Sequence, residues 1–296
     1  MVSHMNRPVC LVFAALAGIS TAQDDLRPAL ERSYQTWHAA MIDRDARAWQ
    51  RATAPHRQME VRNRIVSEKR AFPAAVFDLP APPPALQGLK FLEAARNGPT
   101  AKASYFGKID FGVGGAPSDN LLVLSFVAGG RGWLYDRADF VNLAALPEVR
   151  AELAAGNLKY LKETPEARPS GQVPPTPLAA PPAKYIAKVY VFCPGREVRV
   201  QVNKISHHRF ANAQEAGIVI GGARDGSNEV QYAIRKLEGG TGKEAMTLRI
   251  YLMSETPGVK PVKAFEYQIE ENGTPDPAGS GRFIVDAATV AKLNGR

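Results

Sequence analysis

Residues 198–203 read Val-Arg-Val-Gln-Val-Asn, so that Val198, Val200 and Val202 alternate with polar residues. Successive side chains of a β-strand point to opposite faces, and this period of two therefore predicts a strand with one face in a core and the other in water. The same alternation recurs in residues 230–235, 246–252 and 265–270. The chain around these residues is therefore expected to be built from half-buried strands.

Three more apolar segments, residues 185–193, 217–220 and 282–285, bring the number of expected strands in this region to about seven. Turn signals separate them, at Pro194-Gly195, Asp225-Gly226, Gly239-Gly240 and Pro257-Gly258. Many short strands with regular turns are typical of antiparallel sandwiches. We therefore predict an all-β sandwich domain over residues 185–296.

A proline-rich stretch precedes this region. Residues 163–184 read ETPEARPSGQVPPTPLAAPPAK and contain seven prolines. Proline lacks the backbone donor and restricts the residue before it, so this stretch is predicted to be an extended linker rather than a helix or a paired strand. The linker leaves residues 23–162 as a separate first domain.

The first domain begins with a helical pattern. Leu30, Tyr34, Trp37 and Met41 follow spacings of four, three and four residues, which predicts one stripe of an amphipathic helix. Further helices are predicted over residues 57–70 and 85–96, strands over 101–111, 121–128 and 132–136, and a closing helix over 146–161. Helices followed by an antiparallel sheet indicate an α+β domain.

Two resemblances follow from these patterns. The element order, together with the DRDARAW motif at 43–49, resembles the cone-shaped α+β fold shared by nuclear transport factor 2 and the polyketide-cyclase-like enzymes, in which helices pack on a curved antiparallel sheet. That family usually has more strands, so an extra strand near residues 76–79 would be needed. Residues 218–230, IVIGGARDGSNEV, resemble a segment of immunoglobulin-like and jelly-roll accessory domains of exported bacterial proteins.

The cone resemblance implies a pocket lined by the first helix. The matching residues are Tyr34, Trp37, His38 and Asp43, and a histidine near a carboxylate acts as a general base close to neutral pH. The alternative is that the aromatics belong to the core and that His38 lies on the helix surface. Pockets of this kind need several converging acid and base groups, so we assign no catalytic residue.

The net charge of +8, from 37 basic against 29 acidic residues, is concentrated in part of the first domain. Residues 44–70 hold eight basic groups against three acidic ones. The candidate basic surface is formed by Arg44, Arg47, Arg51, Arg57, Arg62 and Arg64. A solvated helix face is the alternative, and no nucleic-acid partner is expected from net charge alone.

No metal or cofactor is expected. His207 and His208 are adjacent, so in a strand they point to opposite faces and cannot share an ion with Cys193. Residues 239–244, GGTGKE, have the composition of a phosphate loop but lack its glycine spacing and the hydroxyl residue after the lysine. We predict a hairpin turn there.

The N-terminus has the pattern of a secretory signal peptide. Arg7 precedes the apolar stretch 9–19, and Ser20-Thr21-Ala22 supply small residues for cleavage after Ala22. A buried helix is the alternative. Removal of residues 1–22 would leave Cys193 as the one cysteine, and no apolar run is long enough to span a bilayer. A periplasmic or secreted location is therefore expected.

These observations predict an exported, non-catalytic binding or structural protein of the bacterial envelope. One alternative is a small-molecule-binding protein or enzyme that uses the pocket of the first domain. A second is a glycan- or protein-binding module in the sandwich. All three tryptophans precede the linker, so Tyr190, Phe192 and Tyr251 would have to supply an aromatic surface for sugars. The partner is thus an unidentified protein, glycan or small molecule.

Overall fold

A computed structural model describes residues 26–112, 116–130 and 132–296, and this part of the chain is mostly β. It contains three antiparallel sheets of four strands each and six α-helices. The predicted signal peptide, residues 1–22, lies outside the described residues. No described helix is both long and apolar enough to cross a membrane.

The chain groups into two compact units by its internal contacts. The first unit is formed by residues 26–35 together with Leu86–Ile109 and Ser118–Gln172. The second is formed by Thr36–Ala85, Asp110–Pro117 and Val173–Arg296. The division into 23–162, 163–184 and 185–296 that the linker suggests stays a prediction.

Three helices open the described chain: α1 at Leu26–Ile42, α2 at Ala46–Ala52 and α3 at Pro55–Ser67. The chain breaks between the first two because Arg44 adopts a left-handed conformation, with φ of 54°. Asp45 then caps α2 by accepting the backbone N–H groups of Arg47 and Ala48. The helix predicted over 57–70 is confirmed as α3.

The first unit contains a sheet in the order β1-β2-β3-β4. Its strands are β1 Lys90–Asn97, β2 Thr100–Ile109, β3 Ser118–Gly129 and β4 Gly132–Asn142. The helix predicted over 85–96 is wrong, because most of it is β1. A bulge between Phe91 and Glu93 interrupts the alternation, and the Leu-Glu-Ala-Ala-Arg run favours a helix in isolation. The strand needed at 76–79 is also absent, since Ala74–Phe77 form a 3₁₀ turn.

Strand β3 is buried on both faces. Leu121 and Val123 join a core with Leu153 and Leu161, which lie on α4 at Pro147–Ala155 and α5 at Lys159–Glu163. Phe126 contacts Tyr135 edge-on, with ring centres 6.2 Å apart. A central strand covered on both sides has a nearly continuous apolar sequence, and residues 121–127 are apolar except for Ser125.

The second unit contains two sheets, in the orders β11-β10-β5-β8 and β12-β9-β6-β7. Their strands are β5 Ala187–Phe192, β6 Arg196–Val202, β7 Ser206–Ala211, β8 Gln214–Ile218, β9 Gly226–Lys236, β10 Met246–Leu252, β11 Val262–Ile269 and β12 Ala278–Val285. A last helix, α6, spans Ala287–Leu293.

Side chains from both sheets share one apolar core. Val200 from one sheet and Leu248 and Ile250 from the other are at most 2 % exposed. The four strands predicted by alternation and the three predicted from apolar segments are all present, although the segment predicted at 217–220 overlaps β8 only at residues 217 and 218. The eighth, β7, carries Ser206 and His208 on its inward side with Phe210 as its only large apolar group, so its pattern is weaker.

The proline-rich stretch has neither helix nor strand over residues 168–184. Asn63 of α3, a residue that is 4 % exposed, fixes the second half of the proline-rich stretch within the second unit. The Asn63 amide donates to the carbonyl of Leu178 (2.8 Å) and accepts the N–H of Ala180 (2.9 Å). Ala183 adds a backbone bond to Val66. These bonds satisfy backbone groups of the proline-rich stretch that have no hydrogen-bond partner in a helix or a sheet.

Substitution Asn63→Ala is expected to destabilise the second unit by about 1–3 kcal/mol, because the buried N–H of Ala180 and the carbonyl of Leu178 lose their partner. Urea unfolding measures the stability, and limited proteolysis within residues 173–180 measures release of the segment. Gln50→Ala, an exposed change on α2, is the control. Unchanged stability and proteolysis of Asn63→Ala would show that the amide does not hold the segment.

Candidate functional site

The aromatic residues of the predicted helix pocket are core residues. Tyr34 is 2 % exposed and Trp37 is 8 % exposed. Within the first unit the Tyr34 ring meets Tyr135 edge-on at 5.7 Å, and burial raises the pKa of its hydroxyl. A buried phenol held in this way fills space rather than lining an open cavity.

His38 and Asp43 belong to the second unit and lie in different surroundings. His38 is half-buried, and its Nε2 lies 2.9 Å from the Pro83 carbonyl oxygen. Asp43 is exposed just after the end of α1. The pocket that the resemblance implies around Tyr34, Trp37, His38 and Asp43 therefore rests on sequence alone.

The candidate basic surface of α2 and α3 is largely paired. Arg44 bonds to Asp78 (2.9 Å), Arg57 to Glu60 (2.9 Å) and Arg64 to Glu68 (3.3 Å). Arg62 donates to the Ala180 carbonyl (3.0 Å), while Arg47 and Arg51 lie exposed beside Asp45. Nearby carboxylates thus offset much of the local charge.

The glycine-rich loop at 239–244 is occupied by the chain's own carboxylate. Glu244 accepts the backbone N–H groups of Thr241 (2.6 Å) and Gly242 (2.9 Å), and these bonds lower the pKa of Glu244 to about 2. The buried Arg196 guanidinium donates hydrogen bonds to the backbone carbonyls of Gly242 and Glu244 and so fixes the loop. The donors that a phosphate would need are therefore already used.

The two adjacent histidines of β7 face opposite ways. His207 is exposed, whereas His208 stacks on Phe210 and lies 2.7 Å from Ser206 Oγ. Burial lowers the pKa of His208 to about 4. Cys193 is fully buried, and burial raises the pKa of its thiol. Among the described residues, no three metal-ligating side chains converge on a point.

Exposed aromatic side chains gather instead on the outer face of the β11-β10-β5-β8 sheet. Tyr190 and Phe192 are two residues apart on β5 and are 37 % and 40 % exposed. Tyr251 of β10 contacts Tyr190 edge-on, with ring centres 5.2 Å apart. We call Tyr190, Phe192 and Tyr251 the aromatic strip.

A groove of about 590 Å³ runs along this strip. Thr247 lies opposite Phe192 and Arg249 lies opposite Tyr190, so each of the two rings on β5 has a polar neighbour on β10. Gln214 and Ala216 of β8 line the other side. The Arg249 guanidinium is oriented by Glu266 (2.5 Å) and Gln268 (3.1 Å).

Sequence reasoning anticipated the three rings of the strip but not their polar neighbours. Which residue faces Tyr190 depends on the pairing register of β5 with β8 and β10, and the alternation along one strand does not give that register. The pattern of alternating residues at 246–252 did indicate that Thr247, Arg249 and Tyr251 share one face.

Compared with models of protein families, with curated proteins and with solved structures, the chain matches none of them. The site must therefore be judged from its own geometry. Rigid exposed rings beside hydroxyl, amide and guanidinium groups suit a ligand with apolar faces and polar edges.

The buried ring of His208 predicts a pH-dependent stability. The folded pKa is about 4 and the ordinary value is 6.5, so the unfolded chain gains the proton first as the pH falls. The free energy of unfolding should therefore decrease by about 1.5 kcal/mol between pH 6.5 and 5, somewhat less than the roughly 2 kcal/mol that uptake of one full proton over this range would give.

Urea unfolding at pH 7, 6 and 5 measures this decrease. His208→Gln should remove it, whereas His207→Gln, the exposed neighbour on the same strand, should retain it. A decrease that persists in His208→Gln and disappears in His207→Gln would contradict the assignment.

Proposed function

We propose that this chain is an exported, non-catalytic glycan-binding protein of the bacterial envelope. The observation that carries the proposal is the aromatic strip with its polar neighbours on the outer face of the β11-β10-β5-β8 sheet. Tyr190 and Phe192 are each exposed by more than a third, which is unusual for large apolar groups without a binding role when several lie together.

The chemistry of the groove matches a sugar chain. The C–H faces of sugar rings pack against aromatic side chains, and their hydroxyl groups need hydrogen-bond partners at the edges. Thr247 and Gln214 supply such partners on both sides of Phe192, and Arg249 supplies one beside Tyr190. The lining of the groove therefore favours a glycan over a purely apolar ligand.

The finer architecture forms part of the same proposal. We infer that the two sheets of the second unit pack as an immunoglobulin-like or jelly-roll sandwich, since both contribute to one core. The first unit, with its β1-β2-β3-β4 meander and α4 and α5 on one face, is compatible with a cone-like α+β fold. A sandwich would hold the aromatic rings on a rigid surface.

Export and a passive role are supported separately. The N-terminal pattern of Arg7, an apolar stretch and Ser20-Thr21-Ala22 supports secretion. Burial of Tyr34 and Trp37 favours a structural role for the first helix over a catalytic pocket. The protein would thus act by holding an envelope polymer.

Retention on insoluble peptidoglycan sacculi, chitin and cellulose tests the proposal with the full chain. Phe192→Ala and Tyr190→Ala should each weaken retention about threefold to tenfold. This is the change expected from the loss of one aromatic contact, which contributes about 0.5–1.5 kcal/mol. Phe140→Ala on β4 is the matched control, because Phe140 is also 40 % exposed.

Equal retention of all three variants would show that the aromatic strip is not the glycan site. Failure of the wild type to bind any of the three polymers would argue against a glycan ligand and favour a protein partner for this face. Circular dichroism confirms that each variant is folded before its retention is compared.

A further inference from the structure

The outer face of the other sheet, β12-β9-β6-β7, carries an unusual charge arrangement. Glu197 of β6 is 1 % exposed, and three arginines surround its carboxylate. They are Arg199 on β6, Arg209 on β7 and Arg235 on β9, which we call the arginine cluster. Arg199 and Arg209 lie directly opposite each other, a pairing of like charges that would repel without an anion between them.

Glu197 supplies that anion and orients all three guanidinium groups. It accepts from Arg199 Nε at 2.9 Å, from Arg209 at 2.7 and 2.6 Å, and from Arg235 at 3.0 Å through two nitrogens. The hydrogen bonds from Arg235, Arg209 and Arg199 lower the pKa of Glu197 to about 2. The carboxylate is therefore charged at any physiological pH.

One carboxylate leaves two of the three positive charges unmatched. Among the described residues, Glu197 is the only acidic partner of the arginine cluster. The side chains of the three arginines are 61–65 % exposed, while Glu197 lies beneath them. Each guanidinium is thus fixed on one edge and presents its remaining N–H donors to solvent.

A groove of about 810 Å³ borders the cluster. Arg199 and Arg209 form one end of it, and the next row across the sheet is His207, Gln201, Gln231 and Ser280. Ala233 and Ala278 lie in the same row as the two arginines, and their small side chains leave space in the groove. Amides, a hydroxyl and small side chains accommodate a hydroxyl-rich chain beside a charged group.

We propose that this groove is a second binding site, which takes an acidic polysaccharide whose sugars carry carboxylates. A sugar carboxylate would meet the oriented guanidinium groups of Arg199 and Arg209, since the planar fork of arginine matches a carboxylate with two parallel bonds. The sugar hydroxyls would meet Gln201, Gln231 and Ser280. This site shares no residue with the aromatic strip, so either can fail without the other.

Binding of the full chain to polygalacturonate, measured by isothermal titration calorimetry at several salt concentrations, tests the proposal. Arg199→Gln combined with Arg209→Gln should weaken binding about tenfold or more, because charge-assisted bonds are lost. Lys243→Gln combined with Lys260→Gln removes the same charge from exposed positions elsewhere and should change binding less than twofold. Dextran, which is neutral, should not compete.

Two further measurements test the chemistry of the ligand and the position of the site. Polyphosphate of matched charge should bind more weakly than polygalacturonate, and equal or tighter binding of polyphosphate would overturn the choice of a carboxylated ligand. Phenylglyoxal labelling of the wild-type protein should show protection of Arg199 and Arg209 by polygalacturonate, which needs no variant to fold. Absence of protection, or equal affinity of both double variants, would refute the site.

Discussion

The apolar core shared by the two sheets of the second unit is the constraint on which the candidate surfaces depend. Alternate residues of β5, β6, β9 and β10 must face this core, so the residues between them are forced outward. Tyr190 and Phe192 on one sheet and Arg199 and Glu197 on the other are outward residues of this kind. Their outward orientation is thus fixed by the packing of their neighbours, and of the four only Glu197 is buried, beneath the arginines.

The two outer faces differ in chemistry because their strands carry different outward residues. One combines aromatic rings with isolated polar groups, and the other combines a buried carboxylate with three arginines. Neither face relies on a loop for its geometry. Residues on paired strands are held in place better than residues on loops, which suits recognition of an extended polymer by surface contact.

Much of this arrangement could be predicted from the sequence where the local pattern was strong. Local patterning located seven of the eight strands of the second unit, four by alternation and three by short apolar segments, and it located α1 by helical spacing. It failed at β1, where a bulge and a helix-forming run hid the strand, and at β7, where the inward residues Ser206 and His208 are polar. The cluster around Glu197 could not be anticipated, since it joins three strands through a register that no single segment encodes.

Hydrogen–deuterium exchange of the full chain, with and without soluble peptidoglycan fragments, tests whether the aromatic strip binds a glycan. Peptides covering β5, β8 and β10 should exchange more slowly when the glycan is present. Peptides from α1 and from β1–β4 should be unchanged. Protection confined to residues 34–43, at the end of α1 and the turn after it, would contradict glycan binding at the aromatic strip and support a pocket beside that helix instead.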